Sequence, residues 1–435
     1  MRLTNASPAV LALVAEGFFM RLGFGIIAFT LPLYARHLGL NLAETGALLA
    51  LTGVVKTVLK PAMGWVADRV GAKRGLVAAL GLRSLVSFLL AFASAPWQLY
   101  SIRTIHGLST SVRDPAVNAL IAEHGDEKAM GSAFAWYFTA KSLANSLGKA
   151  VAGALLTLTA SNFTAVFLLT WGISSLTLPA VMLFVPGPNR KREVAEQHGD
   201  ESGVAAVPER LGGQGEHRSL SARVVPVVGL GFLISVTASM IDRFYPILAT
   251  EYAGMTEAQA GVVYLASSVV SLVAGPFIGW VSDRFGRKPA VALRSAANAG
   301  SSLLYMLVPN NVGFTVGKLL DDGGKAGFRP AWGALKADVT SLNRRQRAQM
   351  MGWMDIGDDA GDVVGPLGGG LLWDAWGIVG LLVTRIVLAC VTEAYAAAVM
   401  WRRVRERTST AQRPTFLHRW RRPSRRRSAE PGLGD

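Results

Sequence analysis

Lys60-Pro61-Ala62-Met63-Gly64-Trp65-Val66-Ala67-Asp68-Arg69-Val70-Gly71 recurs 215 residues later as Gly275-Pro276-Phe277-Ile278-Gly279-Trp280-Val281-Ser282-Asp283-Arg284-Phe285-Gly286. The same offset places Arg103 on Lys318, Pro115 on Pro330, Ala119-Leu120 on Ala334-Leu335 and Glu123 on Asp338. Chance does not hold one register over so long a stretch, so the chain carries an internal repeat. In each copy an apolar run precedes Asp-Arg-x-Gly and another follows it. The glycine permits a tight turn between two antiparallel helices. The aspartate can meet a helix N-terminus or an arginine across the surface.

Apolar runs extend outward from both copies. Of the 435 residues 51% are hydrophobic and 17% charged, and the mean hydropathy is +0.34. A soluble globular chain carries about 25% charged residues, and a disordered one needs the opposite balance. A bilayer-spanning helix takes roughly 20 mostly apolar residues. Such runs lie near 9–34, 43–67, 75–95, 97–122, 131–158, 162–185, 224–249, 258–282, 289–308, 312–338, 350–373 and 377–400. The reading is an all-α membrane protein of twelve transmembrane helices in two pseudo-symmetric six-helix bundles. The expected domains are an N-terminal bundle (1–185), a cytoplasmic linker (186–222), a C-terminal bundle (223–402) and a basic cytoplasmic tail (403–435). No cleavable signal is expected, because the first apolar run continues to Tyr34.

Charge placement orients the chain. With both termini cytoplasmic, the connecting segments on that side hold twenty-eight Lys and Arg, and the opposite side holds only Arg36. That is the positive-inside bias. The formal net charge of +15 is therefore read as topology and anionic-lipid contact rather than nucleic-acid binding. The one cysteine, Cys390, excludes an internal disulfide and any cysteine-based metal site. No nucleotide-binding glycine loop and no hydrolytic triad stands out. An enzyme is not expected, nor a cofactor or metal.

The doubled motif resembles the loop between the second and third helices of the major facilitator superfamily of secondary transporters, G-x-x-x-D-R-x-G-R-[RK]. Ala72 stands where that pattern has arginine, and Arg287-Lys288 complete the second copy. The resemblance covers the chain to about residue 402. It implies a latch of Asp68, Arg69, Gly71, Asp283, Arg284 and Gly286 that closes the cytoplasmic side. Arg103-x-x-His106-Gly107 in the fourth helix is similar to the R-x-x-Q-G of proton-coupled drug exporters, in which the arginine faces the cavity. Gly361-x-x-x-Gly365-Pro366-Leu367-Gly368-Gly369 resembles the exporters' fifth-helix motif but falls in the eleventh helix. Glycines at this spacing also simply permit close helix packing.

Charges inside apolar spans are costly and need a partner, water or a task. The family fold implies that helices one, four, seven and ten line a cavity, and these carry twelve of them, against eight, Lys141 and Lys149 included, on the contact helices two, five, eight and eleven and four on the rest. Candidate substrate ligands are Arg21, Arg103, His106, Arg113, Lys325 and Arg329. Candidate proton carriers are Glu16, Asp114 and Asp242, the acids least obviously matched by a base on their own helix. A cytoplasmic gate is expected between helices two and eleven: Lys60 with Asp358 or Asp359, and Lys56 with Asp362, at matching depths. Arg294 lies close enough to a helix end to snorkel.

The expectation is thus a monomeric, multi-pass protein of a bacterial inner membrane. It moves a small anionic or zwitterionic molecule by alternating access, coupled to protons, with export favoured. An uptake carrier or uniporter for an organic anion, or a non-transporting sensor of the same fold, remains open. Its partners are the bilayer, the substrate and protons, with no nucleic acid.

Overall fold

The computed structural model describes residues 8–124, 130–186, 214–285, 287–340 and 347–411, and every regular element among them is helical. The N-terminal half holds α1 (Pro8–His37), α2 (Leu42–Val70), α3 (Ala72–Phe92), α4 (Pro96–His124), α5 (Met130–Leu158) and α6, which runs as Phe163–Ser175 and Thr177–Phe184. In the second half α7 (Gln214–Asp242) continues through Tyr245–Ile247 into a π-helical turn at Leu248–Tyr252. Then come α8 (Glu257–Phe285), α9 (Arg287–Leu307) and α10 (Asn311–Thr340). The last helical stretch, Arg347–Ala411, bends at Gly377, whose φ of +69 is a left-handed value that suits glycine. It gives α11 (347–376) and α12 (378–411).

The helices match the expected spans, with two differences at the ends. α7 begins at Gln214, inside the expected linker, and α12 runs to Ala411, past 402. Extending a formed helix adds one backbone hydrogen bond per residue fixed, so polar residues can prolong a span. The rest of the linker and residues 412–435 of the basic tail lie outside the described residues.

Seven helical stretches are long and apolar enough to cross a membrane by length and composition, and one of them, Met350–Val399, has 50 residues, enough for two spans. The heavily charged α4 and α10 are not among the seven. Their place in the bundle comes from the repeat, and their charges from the cavity described below.

Within each half, α1 packs along α5 and α7 along α11. Glycines allow this. A Cβ on Gly25 or Gly148 would strike the facing backbone of α5 or α1, and Gly361 and Gly369 meet the α7 backbone in the same way. The α11 glycine motif therefore does the packing job. The halves meet through α2 against α11 and α5 against α8.

The two ends of the molecule differ. At the end carrying Arg36 and Tyr245, one continuous apolar core draws Phe29, Tyr34 and Leu48 from the first half together with Ile241, Phe244 and Tyr245 from the second. At the other end each half has its own core. One is built on Leu13, Val117 and Tyr137, the other on Val227, Trp332 and Met354. Among the described residues the halves share one core that seals the Arg36 end and have separate cores at the Arg69 end.

Candidate functional site: a cationic central cavity

A cavity of about 450 Å³ lies between the halves, within the size range of small-molecule sites. Its charged lining comprises ten cations and four carboxylates. The cations are Arg21, Lys56, Arg83, Arg103, Arg113, Lys141, Lys149, Arg243, Lys325 and Arg329; the acids are Asp114, Asp242, Asp359 and Asp362.

Five of the six expected ligands line this space. His106 does not. It is 1% exposed, packs edge-on against Phe24, and neither ring nitrogen has a hydrogen-bond partner. It sits behind the wall, because Gly107 beside it presses α4 onto Val55 of α2.

Arg113 is fully engaged. Its Nε and Nη2 donate to Glu16 Oε1 and Oε2 at 2.8 and 2.9 Å, Nη1 to Asp114 Oδ1 at 3.2 Å, and Nη2 also to the Tyr137 hydroxyl at 3.2 Å. Glu16 is wholly buried. Lys56 Nζ lies 3.9 Å from Asp114 Oδ2.

A second network fills the other half. Lys318 Nζ donates to Asp242 at 2.7 Å and Asp322 at 3.0 Å. Lys325 Nζ lies 2.8 Å from Asp321 and 3.5 Å from both Asp242 and Asp322. Asp321 also takes Arg385 at 2.8 Å and Arg294 at 3.2 Å. Arg294 thus turns inward, 3% exposed, rather than snorkelling. A buried carboxylate offers it more than a distant interface does.

All three proton-carrier candidates are therefore matched: Glu16 and Asp242 by bases on other helices, and Asp114 both by Lys56 of α2 and, against expectation, by its own neighbour Arg113 at 3.2 Å. In this conformation the expected gate acids are also occupied in part. Asp358 accepts from Lys336 at 2.9 Å and from Trp332 Nε1 at 3.1 Å, and Asp355 from Lys336 at 2.7 Å. Asp359 and Asp362 line the cavity.

Of the latch, Gly71 adopts φ +87 at the start of α3, and Arg69 and Arg284 are exposed, Arg284 lying over the Trp280 ring. The side chains of Lys60, Asp68 and Asp283, and Gly286 as a whole, lie outside the described residues.

Other cations have no such match. Arg21, Arg83, Arg103, Lys141, Lys149, Arg243 and Arg329 make no salt bridge among the described residues. Several rest on aromatic faces: Arg21 and Arg83 on Phe24 at 4.5 and 5.5 Å, and Lys149 on Tyr264 at 3.9 Å. Ring quadrupoles offset part of a cation's desolvation but accept no directed hydrogen bond from it. Among the described residues, no group of three or more His, Cys, Asp or Glu could hold a metal ion.

The sealed end is held by polar contacts that the sequence did not flag. Arg36 Nε reaches Glu251 Oε1 at 3.2 Å. Glu257 of α8 accepts from Ser161 at 3.1 Å and Thr157 of α5 at 3.4 Å. Gly46 meets Gly370 and Gly153 meets Gly261 across the same end.

Two pseudo-equivalent six-helix halves around a central polar cavity define a membrane-transporter architecture. The chain belongs to the Major Facilitator Superfamily, whose family model matches residues 15–228 and 227–429. It is an integral, multi-pass membrane protein and not an enzyme. Part of it is similar to the multidrug resistance protein MdtG of Dickeya zeae, 33% identical over 166 residues, and of Enterobacter lignolyticus, 30% over 167. These stretches cover 37% of this chain and 40% and 39% of those relatives, so the match spans about two fifths of their length. Among solved structures the nucleoside transporter NupG superposes with a TM-score of 0.71 at 15% identity, covering 90% of this chain and 98% of that one. A POT family transporter in complex with 5-aminolevulinic acid gives 0.69 at 14%, covering 92% and 100%. At such identities the likeness is one of fold.

Proposed function

We propose that the protein is a secondary transporter of a small anionic or zwitterionic molecule, working by alternating access and coupled to protons. The observation that carries this is the lining of the cavity, ten cations against four carboxylates, with seven of the cations making no salt bridge among the described residues. Such a wall attracts a negative group and holds it. Both termini are taken as cytoplasmic from the arginine distribution, so the cavity faces the cytoplasm with its outer end sealed.

Export is the direction in keeping with the relatives named for multidrug resistance. Uptake is favoured by one observation: Asp114 and Asp242 hold cavity cations that a substrate anion would compete for. An anion that displaces a carboxylate leaves it free to take a proton, so anion and proton bind together. When the Arg69 end closes, we take Lys56 to exchange Asp114 for Asp362, and the Asp68 and Asp283 loops to latch.

Proteoliposomes with an imposed pH gradient test this. Accumulation of organic anions should stop when an ionophore dissipates the gradient, and the sign of the accompanying pH change gives the direction. Arg103→Lys keeps the charge but loses the planar fork; losing one charge-assisted hydrogen bond of ~1.5–3 kcal/mol should weaken binding roughly tenfold or more. Transport against a concentration difference at zero gradient would reject coupling. A purely cationic substrate profile would reject the charge reading. Failure of Lys56→Asp with Asp362→Lys to recover transport lost in either single variant would reject the exchange.

A further inference from the structure

The fold compensates some buried arginines and not others. Arg113, Arg294 and Arg385 are 4%, 3% and 0% exposed, and each has a carboxylate within 3.2 Å. Arg83 and Arg103 are as deeply buried, at 6% and 4%, yet neither makes a salt bridge among the described residues. Arg103 Nε has no hydrogen-bond partner, and its Nη2 reaches only the Leu49 carbonyl at 3.5 Å. Arg21 is likewise without a carboxylate and lies over Phe24.

These three side chains are neighbours. Arg21 and Arg83 flank the Phe24 ring. Arg103 is one helical turn from His106, whose ring touches that same phenylalanine. All three guanidinium groups and Phe24 line one cavity. Buried charges without a counter-ion are strongly unfavourable, so the constellation is built to receive a partner that the described residues do not supply.

We propose that Arg21, Arg83 and Arg103 form a single oxyanion site for a phosphate monoester, the charged head of the transported molecule. The proposal rests on the anionic reading of the cavity and narrows it. A carboxylate has two oxygens and one charge, which one guanidinium fork satisfies. A phosphate monoester offers three strong acceptor oxygens and close to two charges near neutrality, which suits three forks. Arg83 is the telling member. It comes from α3, a helix that otherwise packs outside the cavity, and it adds the third fork. The opposite wall carries both signs, with Lys149, Arg243 and Arg329 near Asp242, Asp359 and Asp362, and it faces the uncharged or zwitterionic body of such a molecule.

Calorimetric titration of the purified full chain in nanodiscs decides the matter, with phosphoserine and ribose 5-phosphate against serine, ribose, lactate and malate. The phosphate monoesters should bind at least ~10-fold more tightly than lactate or malate, one extra charge-assisted hydrogen bond being enough for that factor. Arg83→Gln should remove most of this preference and Arg83→Lys part of it. The preference for the monoesters over lactate should rise severalfold from pH 5.5 to 7.5 as the phosphate loses its second proton, near pH 6, whatever protons the cavity carboxylates take up with either anion. Of the groups facing the site, Glu16 and Asp114 are held by Arg113 and Lys56. Protonating His106, Asp114 or Asp242 would strengthen binding of any anion at low pH, phosphate and carboxylate alike, and so leaves the preference between them to the ligand's own ionisation. Equal binding of malate or lactate, an Arg83→Gln protein that melts normally and keeps the preference, or a monoester-over-lactate preference that is flat or falls with rising pH would each overturn the proposal. Should Arg83→Gln fail to fold, the ligand ranking and pH profile of the unaltered protein still decide. Carboxylate binding without a phosphate preference defeats this proposal alone. Absence of any anion binding defeats the broader reading as well.

Discussion

Glu16 and Arg113 show what a single residue stands to lose. Glu16 is 0% exposed, and both its oxygens accept from one guanidinium. Removing that guanidinium leaves a bare carboxylate in a dry interior, a loss of about 3–5 kcal/mol. Arg113→Gln should therefore lower the melting temperature of the purified protein markedly. Adding Glu16→Gln should recover part of the loss, because two neutral amides can satisfy each other. Arg21→Gln, which removes a charge without a carboxylate partner, should cost far less. An Arg113→Gln protein as stable as Arg21→Gln would refute the account. These partnerships were not legible in the sequence. The partners of Glu16 and Asp242 lie 97 and 76 positions away, and one sequence shows only neighbours on the same helix. Arg21, Arg103 and Arg329 were legible because they lie on helices the resemblance places at the cavity. Lys141 and Lys149 line the cavity too, but α5 is not among the helices the resemblance places there. Arg83, the one charge in α3 beyond Lys73 and Arg74 at its start, carries no spacing signal at all.

At the scale of elements, the apolar runs place most helices to within a few residues, since a bilayer leaves little freedom in span length. Among the described residues α4, α5, α9 and α10 fall short of that criterion, α4 and α10 because their charges face a polar cavity, and the span count there leans partly on the repeat register. How closely the helices approach is set by small residues. A Cβ at Gly148 would strike the Leu22 carbonyl of α1, and one at Gly365 would strike Ser239 of α7. Gly172 on α6 has nothing within 4 Å of the same position. Gly148→Leu should thus force α1 and α5 apart and lower both melting temperature and folded yield. Gly172→Ala should leave them equal or better, since alanine in a helix gains about 0.5–1 kcal/mol over glycine. If both variants behave alike, backbone contact is not what holds these bundles. The glycine motif on α11 shows the limit of motif reading: its letters match a fifth-helix exporter pattern, but its position and contacts make it the packing face of α11 on α7.

Across the whole molecule the repeat has a geometric consequence. Arg36 and Glu251 are 215 positions apart, the same offset that relates the two halves, so they occupy equivalent places at the ends of α1 and α7. A pseudo-twofold axis through the middle of the molecule brings equivalent positions face to face, and here they carry opposite charges 3.2 Å apart. Both side chains are partly exposed, 33% and 43%, and a pair of this kind contributes only about 0.2–1 kcal/mol. On the proposed alternating-access mechanism such a weak bond suits a latch that opens in every cycle, whereas a buried pair like Glu16–Arg113 would lock. Arg36→Glu places two like charges together and should shift the population toward the conformation open at that end. Arg36→Glu combined with Glu251→Arg should restore it. The shift is readable by spin-label distances between Trp97→Cys and Val312→Cys, in a Cys390→Ser background. These exposed sites, 67% and 68%, stand near the same end on α4 and α10, one in each half. A latch worth up to about 1 kcal/mol changes the open-to-closed ratio by up to about fivefold, and repulsion in the single variant adds to that. The distribution should therefore lengthen in Arg36→Glu and shorten again in the double variant. High salt should narrow the difference, because exposed charges are screened. Identical distributions in all three proteins at low salt would mean that Arg36 and Glu251 do not gate the molecule, leaving the apolar core around Phe29 and Tyr245 as the seal.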